Sequence, residues 1–192
     1  KEGKRLAKLE AYDKALDYSY APGIFPATEC LKNAKKRCMR LLVSSNGLQS
    51  EGVQALERDA QEAGVRVEVA DRALERISKK ENCFAAMVYK KAEGRFDEDS
   101  PHIVLHHPSD SGNLGTILRT ADALAVPVVL LPGCADVWNP KVVRASMGAA
   151  FRAVPVSMTR EAAVASCRAN GVRLLATALR ADAHDLREET LS

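Results

Sequence analysis

Apolar residues recur along this chain in short blocks whose spacing alternates between two periods, and that alternation divides it into elements. Leu6, Leu9, Ala15 and Leu16 lie among charges in a weakly helical spacing that stops before Pro22-Gly23, so a leading helix is expected over residues 4–19. Arg40-Leu41-Leu42-Val43-Ser44 reads as a short buried strand, residues 51–63 as a helix closed by Gly64, and residues 65–69 as a second strand, together a βαβ unit. A helix over 72–78 and a strand over 84–89 follow, and the polar stretch from Lys90 to Ser100 then marks a domain boundary. Beyond it, strands at 103–105, 128–131, 154–156 and 174–179 alternate with helices beginning at Asn113, after Asn139-Pro140 and at Arg160. The expected class is therefore α/β: a small N-terminal α/β domain, residues 1–97, and a parallel-sheet domain, residues 98–192.

Composition adds little to this picture and charge adds one feature. The 192 residues suit two small domains, and at 46% hydrophobic and 28% charged residues the chain is expected to be soluble. No apolar run approaches the roughly 20 residues of a membrane span. The five cysteines are scattered and never form a C-x-x-C pair, which predicts neither a disulfide framework nor a metal site and fits a reducing cytoplasm. The chain begins at Lys1, without an apolar secretory segment. Its net charge of +3 is unevenly placed: the residues up to Arg40 hold ten Lys/Arg against five acids, and Lys32, Lys35, Lys36, Arg37 and Arg40 cluster there. Such a cluster is either a solvated face or a phosphate-binding one.

Two segments carry candidate chemistry. Ser111-Gly112-Asn113-Leu114-Gly115-Thr116-Ile117-Leu118-Arg119-Thr120 follows a strand and opens a helix, the place where ligands bind at the edge of an open parallel sheet. Leu114, Ile117, Leu118 and Ala121 form its buried stripe, and Arg119 falls about 140° round from Leu114, facing solvent or a site. Asn113 at the helix start reads equally as a cap. In the second segment Asn139 caps a helix with Pro140 at its first position, Arg144 and Ser146 follow, and Gly148, Ala149 and Ala150 permit close packing. His106 and His107 are adjacent on a strand and point to opposite faces, so with His102 they predict no metal site. Trp138 reads as a packing anchor. No P-loop and no G-x-G-x-x-G turn is present, which sets aside other nucleotide-binding α/β enzymes.

In order and about 25 residues apart, these segments resemble the first two signature motifs of the SpoU/TrmH RNA 2′-O-methyltransferases, members of the knotted SPOUT superfamily. Asn113 through Thr120 fits N-x-G-x-x-x-R-T, and Asn139-Pro140 with Arg144-Ala145-Ser146-Met147-Gly148-Ala149 fits the second. The resemblance implies transfer of a methyl group from S-adenosylmethionine to a ribose 2′-hydroxyl of rRNA or tRNA. It implies Asn113 and Arg119 as the catalytic pair and Arg144 as a second phosphate-facing cation, while the density of cations between Lys32 and Arg40 is what points to Lys35, Lys36 and Arg37 on the RNA. Thr177, Ala178 and Leu179 fall where the cofactor meets the sheet edge. It further implies a ribosomal-protein-like RNA-binding domain before the catalytic one, with Asn82-Cys83 where relatives carry Gln-Gly, and a homodimer. The family's third motif, which completes the trefoil knot, does not occur before Ser192, so a truncated methyltransferase domain is expected, weak in cofactor binding by itself. The alternative is a non-catalytic RNA-binding protein that keeps the scaffold.

Overall fold

The computed structural model describes residues 9–78, 83–177, 180–183 and 185–188, and the chain divides into two compact units, Lys1–Thr159 and Arg160–Ser192. The first unit holds two sheets. In the larger, β1 (Tyr18–Pro22), β2 (Cys38–Val43), β3 (Arg66–Val69) and β4 (Ala85–Lys90) lie in the order β1-β4-β2-β3. β2 and β3 are parallel and joined through α2 (Glu51–Glu62), the βαβ unit expected from the pattern, while β4 runs antiparallel to both β1 and β2. α1 (Ile24–Ala34) leads into β2, and α3 (Asp71–Ile77) leads towards β4.

The smaller sheet is wholly parallel, β5 (Ile103–Leu105), β6 (Val128–Leu130) and β7 (Val156–Ser157), with β6 central. Between its strands lie α4 (Ser111–Ala123), α5 (Pro140–Ala145) and α6 (Ala149–Arg152). The second unit contains α7 (Arg160–Ala169) and a short 3-10 turn, Leu186–Glu188.

One apolar core runs through both sheets of the first unit. Leu41, Val43, Met87 and Tyr89 from the larger sheet meet Leu114, Leu118, Val142 and Phe151 from the helices that follow β5, and Trp138 from the turn before α5. Tyr89 stacks edge-on against Trp138 and Phe151, with centroids at 5.8 and 5.0 Å. Ser19 Oγ donates to the Trp138 carbonyl at 2.5 Å. Residues on both sides of position 97 thus share one core. Tyr20, Leu42, Leu74, Ala86 and Val88 form a second cluster.

Several expectations need correction. Residues 9–17 are not helical: Leu16 and Asp13 make a turn, and β1 follows at once. The apolar spacing there arises from irregular chain laid against the core, where Leu9 and Tyr12 pack. α1 was not expected, because its buried stripe of Ala27, Cys30, Leu31 and Ala34 is built largely from small side chains that give a faint signal. The helix expected after Pro140 is broken at Ser146–Gly148 into α5 and α6. The strand expected over 174–179 is irregular through Thr177, with Leu174 exposed and without a ladder partner among the described residues, and extended chain becomes a strand only by pairing. Ala178 and Leu179 lie outside the described residues.

Candidate active site

α4 begins where β5 gives way to the loop over Pro108, and its cap is Asp110 rather than Asn113. The Asp110 carboxylate accepts the backbone N–H of Asn113 at 2.8 Å. Asn113 is thereby released from capping, and its side chain is exposed on the first turn. Leu114, Gly115, Leu118 and Ala121 are buried and Ile117 half-buried, so the stripe points into the core and Arg119 lies outside it, exposed. Thr116 and Thr120 donate back to the carbonyls of Gly112 and Thr116, at 2.9 and 3.1 Å, which satisfies both hydroxyls within the helix.

Gly115 is where α4 touches α5. A β-carbon built there would stand 2.4 Å from Ala145 Cβ and 2.9 Å from the Ser146 nitrogen, so only glycine lets the two backbones approach this closely. Arg119 is one turn beyond Gly115 and about 40° round from it, at the rim of the crossing. Arg144, the residue before Ala145, is exposed on α5. The two motif segments are thus locked by small residues, with Asn113, Arg119 and Arg144 left in solvent around the lock. Asn113 and Arg119 are separated by roughly 9 Å along the helix and about 120° around it. They form a pair only across something large enough to reach both.

The second motif owes its shape to a left-handed turn. Asn139 Oδ1 accepts the Lys141 N–H at 3.0 Å and Pro140 opens α5, as the pattern indicated. Ser146 is fully buried and donates to the Val143 carbonyl at 2.8 Å, a packing role. Met147 and Gly148 then adopt positive φ, 51° and 88°. Gly148 is doubly constrained, because a β-carbon there would fall 2.6 Å from Glu29 Oε2 and 2.7 Å from Arg152 Nη1. Arg152 fixes this corner: it pairs with Glu29 of α1, with Asp122 of α4 at 2.8 Å, and donates to the Met147 carbonyl at 3.3 Å.

The basic cluster separates into three environments. Lys32, Lys35 and Lys36 are exposed, the last two on a 3-10 turn, Lys35–Arg37. Arg40 is buried in β2 and pairs with Glu68 at 3.6 Å. Arg37 turns inward, its guanidinium 5.2 Å from the Trp138 ring centre and 5.9 and 5.8 Å from those of Tyr89 and Phe151. It fastens the turn bearing Lys35 and Lys36 to Trp138, beside the second motif. Sequence reasoning grouped Arg37 with the two lysines; the apolar residues that hold it are distant in sequence and gave no local signal. Thr177 is exposed within the second unit. His102 stacks on Phe96 at 4.5 Å, whereas His106 and His107, expected on a strand and pointing to opposite faces, lie beyond the end of β5 with their rings meeting edge-on at 4.8 Å; the described residues contain no cluster of metal-ligating side chains.

In open parallel α/β sheets ligands bind where a strand gives way to a helix, and here the first such turn carries Asn113 and leads to Arg119, both exposed. Residues 100–192 match the model of the SpoU rRNA Methylase family. A human relative, "rRNA methyltransferase 3, mitochondrial", is 61% identical over 44 residues, which are 22% of this chain and 10% of that protein. The 23S rRNA (guanosine(2553)-2′-O)-methyltransferase RlmP of Bacillus subtilis (strain 168) is 41% identical over 71 residues, 36% of this chain and 29% of its own length. The crystal structure of an AdoMet-bound rRNA methyltransferase from Sinorhizobium meliloti superimposes with a TM-score of 0.63 at 22% identity, over 80% of this chain and 59% of that one, a likeness of fold. The chain therefore spans less than two thirds of each of these relatives.

Proposed function

We propose that the protein containing this chain is an S-adenosylmethionine-dependent RNA methyltransferase that methylates a ribose 2′-hydroxyl of ribosomal RNA. The observation that carries this reading is the lock between the two motif segments at Gly115 and Ala145, which leaves Asn113, Arg119 and Arg144 together in solvent. Among the described residues, none of the three side chains makes a hydrogen bond or an ion pair.

Each side chain has a task set by its chemistry. Arg119 presents a planar fork of donors suited to clamping a phosphate in two-point contact, which orients the neighbouring ribose and balances charge as its hydroxyl loses a proton. A guanidinium with a pKa above ~12 is a poor acceptor, so Arg119 positions and does not take that proton. Asn113, freed by the Asp110 cap, offers both a donor and an acceptor to the sugar. Arg144 adds a second cation for the RNA backbone, and Lys35 and Lys36 extend the contact, held in place by the Arg37 stack.

S-adenosylmethionine supplies an electrophilic methyl group, and Thr177 with Ala178 and Leu179 would hold it. The exposed hydroxyl and irregular backbone of Thr177 fit that duty, since neither is consumed by a strand ladder. Residues 1–97 act in this reading as the RNA-binding part. A homodimer agrees with the exposed Val172 and Leu174, apolar surface that subunit contact would cover. Five free thiols suit a reducing compartment such as the cytoplasm.

Incubating the full-length protein with methyl-labelled cofactor and ribosomal RNA tests the proposal. Label should enter rRNA with the wild type and fall by about 10²-fold or more with Arg119→Ala, the usual cost of removing an orienting charged donor. RNA binding without incorporation would identify a binding protein that keeps the scaffold, and incorporation into tRNA alone would reassign the substrate.

A further inference from the structure

Cys30, in the last turn of α1, and Cys38, the first residue of β2, bring their Sγ atoms to 3.7 Å, in contact and unbonded. Cys30 is fully buried, whereas Cys38 is half-buried and its thiol also lies 3.7 and 3.6 Å from the carbonyls of Cys30 and Ala34. The pair is asymmetric in charge as well as in access. Arg37 precedes Cys38, and its Nη1, held over the aromatic rings, is buried without an acceptor among the described residues. The hydrogen bond from Cys30, and then the positive charge of Arg37, hold the Cys38 thiol below the usual range against the opposing effect of burial. Burial pushes the Cys30 thiol up. Tyr89 is the other ionisable group beside them, and burial keeps its phenol protonated.

We propose that Cys30 and Cys38 form a redox modification site, at which a hydroperoxide oxidises Cys38 and Cys30 then closes a reversible intrachain disulfide. In the first step the Cys38 sulfur attacks one peroxide oxygen, the O–O bond breaks, and the departing oxygen leaves as water or alcohol after taking a proton; Cys38 becomes a sulfenic acid. In the second, the Cys30 sulfur attacks the Cys38 sulfur, the S–O bond breaks, and the hydroxyl leaves as water with the Cys30 proton. Two electrons and two protons pass from the thiols to the peroxide. The sulfurs need close only from 3.7 Å to about 2.05 Å. A small dithiol reverses the bond by exchange. The closed ring ties together the ends of the segment that carries Lys32, Lys35, Lys36 and Arg37, and so changes the shape of the basic turn.

Peptide mapping of the full chain after treatment with hydrogen peroxide is the test. Trypsin cuts at Lys32, Lys35, Lys36 and Arg37, between the two cysteines, so the disulfide joins two peptides and the pair is lighter by two hydrogens. That joined pair should form before Cys83, Cys134 or Cys167 reacts and should vanish on adding dithiothreitol. In Cys30→Ser the reaction should stop at the sulfenic acid, trapped as a dimedone adduct on Cys38. Because serine at the buried position 30 can cost stability, Cys38→Ser is measured beside it, and should give neither a joined pair nor an adduct on Cys30. The proposal is overturned if one of the other three cysteines reacts first in the wild type, or if Cys38 proceeds to sulfinic acid with no joined peptides.

Discussion

At the scale of single residues, the same side-chain type serves opposite ends according to what surrounds it. Arg119 and Arg144 are exposed off the buried stripes of their helices, Arg152 joins three segments, and Arg37 lies against three rings. Replacing Arg37 by alanine should therefore cost about 1–2 kcal/mol through lost stacking and stem packing. A denaturant titration reads this, and an unchanged midpoint would contradict the stacking role. Replacing Arg119 by alanine should leave that midpoint within about 0.5 kcal/mol of wild type, as for exposed positions without partners. A clear loss of stability would make Arg119 a structural residue. The exposure of Arg119 was legible in the periodicity of Leu114, Leu118 and Ala121. The fate of Arg37 was not, because Tyr89, Trp138 and Phe151 approach it from three separate elements.

At the scale of elements, the two motifs are shaped by contacts that forbid side chains. Gly115→Ala would drive a methyl group into Ala145 and should destabilise the fold by about 1–3 kcal/mol, unless α5 moves away. Either result lowers the melting temperature or disturbs Arg144, and an alanine variant as stable and as active as wild type would show the crossing to be loose. The corner after α5 depends on Arg152, whose loss would leave Glu29 and Asp122, both largely buried, without their cation. Arg152→Ala should cost about 1–3 kcal/mol, read by thermal melting. Strongly patterned elements could be read directly: α2 and its closing glycine, the flanking β2 and β3, and the cap at Asn139-Pro140 all stand where periodicity and capping put them. Elements built from weak or crowded signals could not. α1 hides its stripe in alanines and a cysteine, and the glycine at the break, Gly148, is closed in by Glu29, a residue more than a hundred positions earlier in the chain.

At the scale of the whole molecule, one core joins the larger sheet to the helices of the motif-bearing part, so the basic turn and the second motif are held by the same aromatic cluster. Lys35 and Lys36 should contribute to RNA affinity through released counterions. The double alanine variant should lower the slope of log affinity against log salt by up to about 2, while Arg37→Ala should leave that slope nearly unchanged. An unaltered slope in the double variant would remove the turn from the RNA-binding face. The decisive point is the atom that receives the methyl group. The direct measurement is to label ribosomal RNA with the full-length protein and methyl-tritiated S-adenosylmethionine, digest it to nucleosides, and separate them by chromatography. Label should appear in a 2′-O-methylnucleoside and disappear with Arg119→Ala; label in a methylated base, with the ribose untouched, would contradict the assignment.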